Sequence, residues 1–183
     1  MSGKTTKLVY LALLITFAVV IHTIESSLVF LIPIPVPGAR LGLANIITLL
    51  ALMLYGFRSG MLVSVMRSFM GFLIVGNVVS FSLSLSGAVF STAVMGLAFI
   101  FYKKKWINIL TVSVLGAVSH NVAQIVMASF VVSQFHLITF YLPLLLLLAV
   151  PTGVFTGLSA MYLHKVIMKN VTVNHSLSQF RKI

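Results

Sequence analysis

Long apolar segments separated by short polar ones run through almost the whole chain of 183 residues. A helix needs about 20 residues to cross a hydrocarbon core about 30 Å thick. Segments of that order predict six transmembrane helices, of which the second is short and the fifth is long. The expected spans are residues 8–24, 41–55, 59–75, 79–102, 107–132 and 140–164.

Composition agrees with membrane insertion. Sixty per cent of the residues are hydrophobic, 7% are charged, and the mean hydropathy is +1.18. Soluble domains carry about 25% charged residues. We therefore expect an all-α integral membrane protein, with one six-helix domain over residues 1–168 and a polar cytoplasmic tail over 169–183.

The basic residues predict the orientation of this bundle. Twelve Lys and Arg oppose one acid, and ten of the twelve fall at junctions that six crossings place on one side. An excess of Lys and Arg marks the cytoplasmic side, so we expect a multi-pass protein of the bacterial cell membrane with both termini cytoplasmic. The ten are Lys4, Lys7, Arg58, Lys103, Lys104, Lys105, Lys165, Lys169, Arg181 and Lys182.

The same layout argues against nucleic-acid binding. That function needs basic residues clustered on a solvated face, whereas these punctuate apolar segments. Arg40 and Arg67 alone depart from the pattern, which makes them the first candidates for a functional role.

The inventory of reactive residues is short. The chain has no Cys, and Glu25 is its sole carboxylate. Thiolate metal sites, paired-carboxylate catalysis, a carboxylate-bound magnesium ion and an Asp-supported serine triad are therefore excluded, and a Walker phosphate loop is missing. We expect no enzymatic activity, no cofactor and no bound metal.

Two segments between or at the start of helices are unusual. Pro33, Pro35 and Pro37 interrupt an apolar loop on the outer side, which predicts either a lid over the bundle or a rigid connector.

Serines alternate with apolar residues over 80–87. That alternation indicates a disturbed start to the fourth helix, unless the hydroxyls simply bond back to helix carbonyls.

Arg67 is the strongest single signal for a site. It follows Arg58 by nine residues and so lies roughly 13 Å into the membrane. Burying it costs about 2.5–3.5 kcal/mol on insertion scales, so it should face a partner or a wet cavity. It either pairs with Glu25 or backbone carbonyls, or serves as the counter-charge of an anionic ligand.

A second group of polar residues lies in the fifth helix. His120 and Gln124 share one face, and Asn121 is offset from His120 by roughly 100°. Polar side chains at this depth either hold helices together or line a binding site. Near the second helix, Arg40 and Asn45 could hold a ligand that enters from outside, or they could serve only as a lipid anchor and a packing residue.

These motifs carry a family resemblance. The run over residues 36–51, then Arg67, then residues 81–87 and 116–124, resembles the Gx transporter family, also known as heptaprenyl diphosphate synthase component I. This family is similar to the substrate-binding S components of energy-coupling factor (ECF) transporters.

The resemblance implies a substrate-binding S component of an ECF importer. Such a subunit captures a nutrient, a vitamin or an isoprenoid- or quinone-precursor-like molecule from outside. It docks on a transmembrane coupling protein driven by two ABC ATPase subunits, through small residues of the first helix that match Ala12, Thr16 and Ala18 here. The predicted substrate-binding residues are Arg40, Asn45, Arg67, Ser84, Ser86, His120, Asn121 and Gln124.

The family's other name supports a different function. Prenyl synthases bind diphosphate-bridged magnesium through Asp-rich motifs, and this chain has no Asp. The alternative is a non-catalytic membrane accessory subunit of a prenyl diphosphate synthase. A transporter, channel or assembly factor that works alone is a third possibility.

Overall fold

The computed structural model describes residues 3–31 and 42–180, with side chains over 5–27 and 42–169. Every secondary-structure element in this part of the chain is an α-helix, which confirms the all-α prediction. The helices are α1 Gly3–Leu31, α2 Asn45–Tyr55, α3 Phe57–Val75, α4 Val78–Lys103, α5 Ile109–Val132 and α6 His136–Phe180.

The six predicted segments are found as six helices among the described residues, but α2 is shorter than its expected span of residues 41–55. The other five helices are long and apolar enough to span a membrane. With 11 residues, α2 extends only about 16 Å, against a core about 30 Å thick. Its start is delayed because Gly42 adopts left-handed φ, +81°, and residues 43–44 form a turn before the helical ladder begins.

α2 and α3 form a tight antiparallel hairpin. Gly56 alone joins them, with φ +84°. Close approach requires Gly60, since a Cβ there would lie 3.2 Å from Leu52 Cβ and 3.4 Å from the Thr48 carbonyl oxygen. Every residue from Asn45 to Leu52 is buried. α2 therefore begins inside the bundle rather than at its surface.

α1 continues to Leu31, beyond the predicted end at residue 24. It packs against α2 and α3, and it buries Leu11, Leu14 and Ala18. Because the helix is longer than expected, Glu25 lies about 9 Å before its end and only 2% of its surface is exposed.

The predicted disturbance at the start of α4 is not found. Asn77 accepts a hydrogen bond from the Ser80 backbone N–H at 2.9 Å, an N-cap that starts a regular helix. Ser82 and Ser86 donate to the carbonyls of Val78 and Leu83. The alternative that the serines bond back to the helix is therefore correct for these two.

α5 and α6 meet through small residues. Cβ atoms at Gly153 and Gly157 would approach Val114 Cα at 2.7 Å and Ser113 Cβ at 2.9 Å, the close backbone contact that small residues permit between membrane helices. The helix backbone continues to Phe180, so α6 includes most of the segment predicted as a tail.

We expect Gly153→Ala to destabilise the protein by about 1–3 kcal/mol, because its Cβ would press on backbone that cannot move aside. The matched variant is Gly96→Ala. There a Cβ would meet the ring of Phe57, which is 48% exposed and can turn away. Thermal unfolding in detergent should show a clear loss for the first variant and little for the second; equal losses would contradict this account of the α5–α6 contact.

Candidate functional site

Seven buried side chains from five helices gather around the start of α2. We call them the polar cluster: Glu25, Asn45, Arg67, Ser68, Ser84, His120 and Gln124. In an apolar bundle each of these groups must be paired or bound, because an unsatisfied polar group is costly there.

Arg67 connects α3 to the first residue of α2. Its Nη2 donates to Asn45 Oδ1 at 2.7 Å, and 2% of its surface is exposed. Both residues lie 11 positions from Gly56, about 16 Å along their helices. Arg67, which was predicted to lie roughly 13 Å into the membrane, is therefore level with the start of α2, at the end of the hairpin away from Gly56.

Glu25 reaches the same turn from α1. Its Oε1 accepts a hydrogen bond from the backbone N–H of Gly42, and the Gly42 carbonyl in turn accepts from the Asn45 N–H at 2.9 Å. The one acidic side chain of the chain and the more buried of its two described arginines thus hold the two ends of a single turn. The structure gives Arg67 a side-chain hydrogen bond to Asn45, a partner that was not among the alternatives considered for it.

His120 lies between two glycines. Cβ atoms built at Gly42 and Gly87 would lie 3.3 Å from His120 Cδ2 and 2.7 Å from His120 Cε1. The Gly87 Cβ would also lie 3.0 Å from Gln124 Cγ. Because glycine has no side chain, these two positions leave the space in which His120 and Gln124 of α5 pack against α4 and the turn before α2.

Hydroxyl and imidazole groups extend the cluster between α1, α3 and α4. The Ser68 and Ser84 hydroxyls are 3.1 Å apart. His22 is buried against Gly71, where a Cβ would lie 2.7 Å from its ring. Sequence reasoning missed both Ser68 and His22. A helical count from Glu25 could have found His22, which precedes it by three residues on the same face of α1. Ser68 is offset from Arg67 by about 100°, so only the neighbouring helix α4 shows that its hydroxyl meets Ser84.

Five of the eight predicted substrate-binding residues come together in the polar cluster: Asn45, Arg67, Ser84, His120 and Gln124. Arg40 and the proline loop lie outside the described residues.

Asn121 and Ser86 make contacts elsewhere. Asn121 Nδ2 donates to the Leu145 carbonyl of α6 at 2.8 Å, and half-buried Ser86 donates to Leu83. Asn121 thus joins two helices, which is the alternative role considered for polar residues of α5.

Two buried groups beside the Arg67–Asn45 pair lack a hydrogen-bond partner among the described residues. They are Asn45 Nδ2 and Thr48 Oγ1. Thr48 follows Asn45 by three residues and lies on the same side of α2. An unmade buried hydrogen bond costs about 1–3 kcal/mol, so such groups in a native protein call for an explanation. An acceptor oxygen supplied by a ligand would satisfy both donors.

The described residues contain no group of three His, Cys, Asp or Glu side chains arranged to hold a metal ion. The polar cluster places the hydrogen-bond donors Asn45 Nδ2 and Thr48 Oγ1 beside the Arg67–Asn45 pair in the buried interior of the bundle.

The residues predicted for partner docking separate into two groups. Ala12 and Thr16 are exposed on α1, and they line an apolar groove of about 510 Å³ between α1 and α3. Ala18 is fully buried in the hydrophobic core. The prediction for Ala18 needs correction, because its side chain faces the bundle and cannot touch a partner.

Five membrane-length helices around a buried polar cluster define a multi-pass helical membrane protein. The chain belongs to the heptaprenyl diphosphate synthase component I family, whose sequence profile matches residues 14–163. Comparisons with curated proteins and with solved structures give no match. The matched region begins in α1 and ends in α6, so it includes every residue of the polar cluster.

The packing of His120 can be tested by a double-mutant cycle with Gly87. We expect Gly87→Ala to destabilise the protein because its Cβ would overlap the imidazole. Adding His120→Ala removes the overlap, so the second variant should suppress much of the loss. Unfolding free energies of the two single variants and the double variant should give a coupling of about 0.5–3 kcal/mol. Additive losses would show that the ring does not lie between α4 and α2.

Proposed function

We propose that this protein is a non-catalytic membrane subunit that binds a small polar molecule in the polar cluster and works with partner proteins. The observation that carries the proposal is the set of donors at the start of α2. Arg67 bonds to Asn45, while Asn45 Nδ2 and Thr48 Oγ1 have no hydrogen-bond partner among the described residues. A ligand with acceptor oxygens fits these donors.

The short helix supports the same function. In many membrane transporters, half-helices begin near the bilayer midplane, and their N-termini point at polar or anionic groups of the substrate. α2 begins inside the bundle, about 16 Å from its hairpin. Because Glu25 reaches the same turn as Arg67, the described charges of the site balance. A ligand that is polar, or that carries both acceptor and donor groups, suits this site better than a bare anion.

The absence of catalysis is part of the proposal. The chain has one carboxylate, Glu25, and it is engaged with backbone at Gly42. Prenyl transfer needs carboxylates to bind the magnesium diphosphate of the substrate, so that chemistry would belong to another protein.

The family name favours a particular setting for such a subunit. A component I implies a second component, and we propose that this chain is the membrane accessory subunit of a prenyl diphosphate synthase. In this setting the subunit would hold an isoprenoid or quinone-related molecule at the membrane while its partner carries out the reaction.

An ECF-type importer is the second candidate. The observation that favours it is the exposed groove with Ala12 and Thr16 on its surface, since the resemblance assigns small residues of the first helix to docking on a coupling protein. The subunit would then lie in the cell membrane with both termini cytoplasmic, and two ABC ATPase subunits would complete the importer.

Native mass spectrometry tests the site and weighs the ligand in the same measurement. The protein released from mild detergent should retain a co-purifying small molecule. Arg67→Ala should lose this adduct, and His120→Ala and Gln124→Ala should weaken it. Ser113→Ala is the matched control, because it removes a buried hydrogen bond to Thr156 at 2.8 Å outside the cluster. Circular dichroism checks that the variants remain folded; an adduct that Arg67→Ala retains would reject the site.

Co-purification separates the two settings. Affinity capture from the native membrane should retrieve a soluble prenyl synthase if the subunit is an accessory component. Retrieval of a coupling protein with two ATPases, weakened by Ala12→Leu and Thr16→Leu, would instead support the importer. Leu13→Ala is a control on the same helix, since Leu13 is exposed but does not line the groove.

A further inference from the structure

A second apolar groove lies at the far end of the bundle from the polar cluster, between the start of α3 and the end of α4. It encloses about 480 Å³, within the range of about 300–1,000 Å³ typical of ligand sites. We call it the Lys103 groove, and its main lining residues are Leu52, Phe57, Ala93, Leu97, Ile100 and Lys103.

The walls of this groove face outward. Phe57, Leu97 and Ile100 are 48%, 63% and 53% exposed. On helices that cross a membrane, such residues contact lipid hydrocarbon. The groove therefore accepts an apolar chain that lies along α4 and approaches from the side.

One basic residue lines the groove, and three more lie close to its lining residues in the chain. Lys103 lies in the last turn of α4, with its Nζ 5.5 Å from the Phe99 ring centroid. Lys104 and Lys105 follow directly, and Arg58 comes one residue after Phe57 at the start of α3; all four cations are exposed. The chain's one acidic side chain is buried in the polar cluster, so no side chain of this protein neutralises them.

We propose that the Lys103 groove binds an anionic phospholipid of the surrounding bilayer, with one acyl chain along the apolar walls and the phosphate at Lys103. Basic pockets between transmembrane helices are suited to anionic headgroups, and the apolar groove selects for an attached chain. This site does not depend on the ligand of the polar cluster or on either candidate function.

The chain contains a fluorescent probe for this site. Trp106 is its only tryptophan. Its backbone N–H donates to the Phe101 carbonyl at 3.1 Å, and the two rings are 5.8 Å apart. Trp106 thus folds back onto the last turns of α4, the helix that carries Lys103, and a brominated lipid bound along this end of α4 would quench its emission.

The experiment reconstitutes the full chain in phosphatidylcholine vesicles that contain a small fraction of brominated phosphatidylglycerol or brominated phosphatidylcholine. We expect the anionic lipid to quench Trp106 more strongly at equal fractions. Lys103→Gln should reduce this preference by about fivefold, from the attraction of one cation near the surface. Ala93→Phe, which fills the groove, should reduce quenching by the anionic lipid without any change of charge.

Lys165→Gln is the control for general charge attraction. It removes the same charge from α6, which makes no described contact with α4, and it should leave the preference unchanged. Equal quenching by the two lipids, or equal effects of Lys103→Gln and Lys165→Gln, would overturn the proposal. Relief of the quenching by micromolar farnesyl diphosphate would also overturn it, since the groove would then belong to a prenyl diphosphate.

Discussion

The burial of two opposite charges inside an apolar bundle is the constraint on which the rest of this structure depends. Arg67 and Glu25 are both almost fully buried, and a charge at such a depth is tolerated only where hydrogen bonds compensate its lost hydration. Each charge contacts the turn that precedes α2, one through Asn45 and the other through Gly42. The turn thus has buried charged contacts from two helices.

This arrangement explains why α2 is short. The chain turns at Gly42, whose backbone N–H donates to Glu25. The helix begins three residues later at Asn45, whose side-chain oxygen accepts a hydrogen bond from Arg67. A full-length apolar helix would cover the same space but would leave the arginine and the glutamate without these contacts. Helix packing and the polar cluster are therefore one feature of the structure.

Much of the fold was predictable because the bilayer imposes a simple length rule. The starts and ends of α3, α4 and α5 fall within two residues of the expected spans. The disturbed helix start predicted over residues 80–87 is not found for a local reason. The hydroxyls of Ser82 and Ser86 donate hydrogen bonds to carbonyls of the preceding turn, so the alternating serines leave the helix regular.

Part of the candidate site could also be predicted, because burying a polar side chain in a membrane helix costs free energy, and such residues therefore indicate a structural or functional role. That reasoning selected Arg67, His120 and Gln124, all of which the structure buries in the polar cluster. It gave Asn121 an angular offset from His120 but could not say which group Asn121 meets. Only the position of α6 shows that its amide donates to the Leu145 carbonyl. Ala18 was misassigned for the same reason, since small residues suit a buried contact and an exposed one equally well.

The sequence by itself determined that this is a helical membrane protein, how its long helices are ordered, and which polar residues lie deep within them. Hydropathy and charge are local properties, and the bilayer converts them directly into position along its normal. The tertiary structure alone decided which way each helix faces. Rotation about a helix axis depends on close contacts such as those of Gly87 with His120 and Gly153 with Val114, which join residues far apart in the chain.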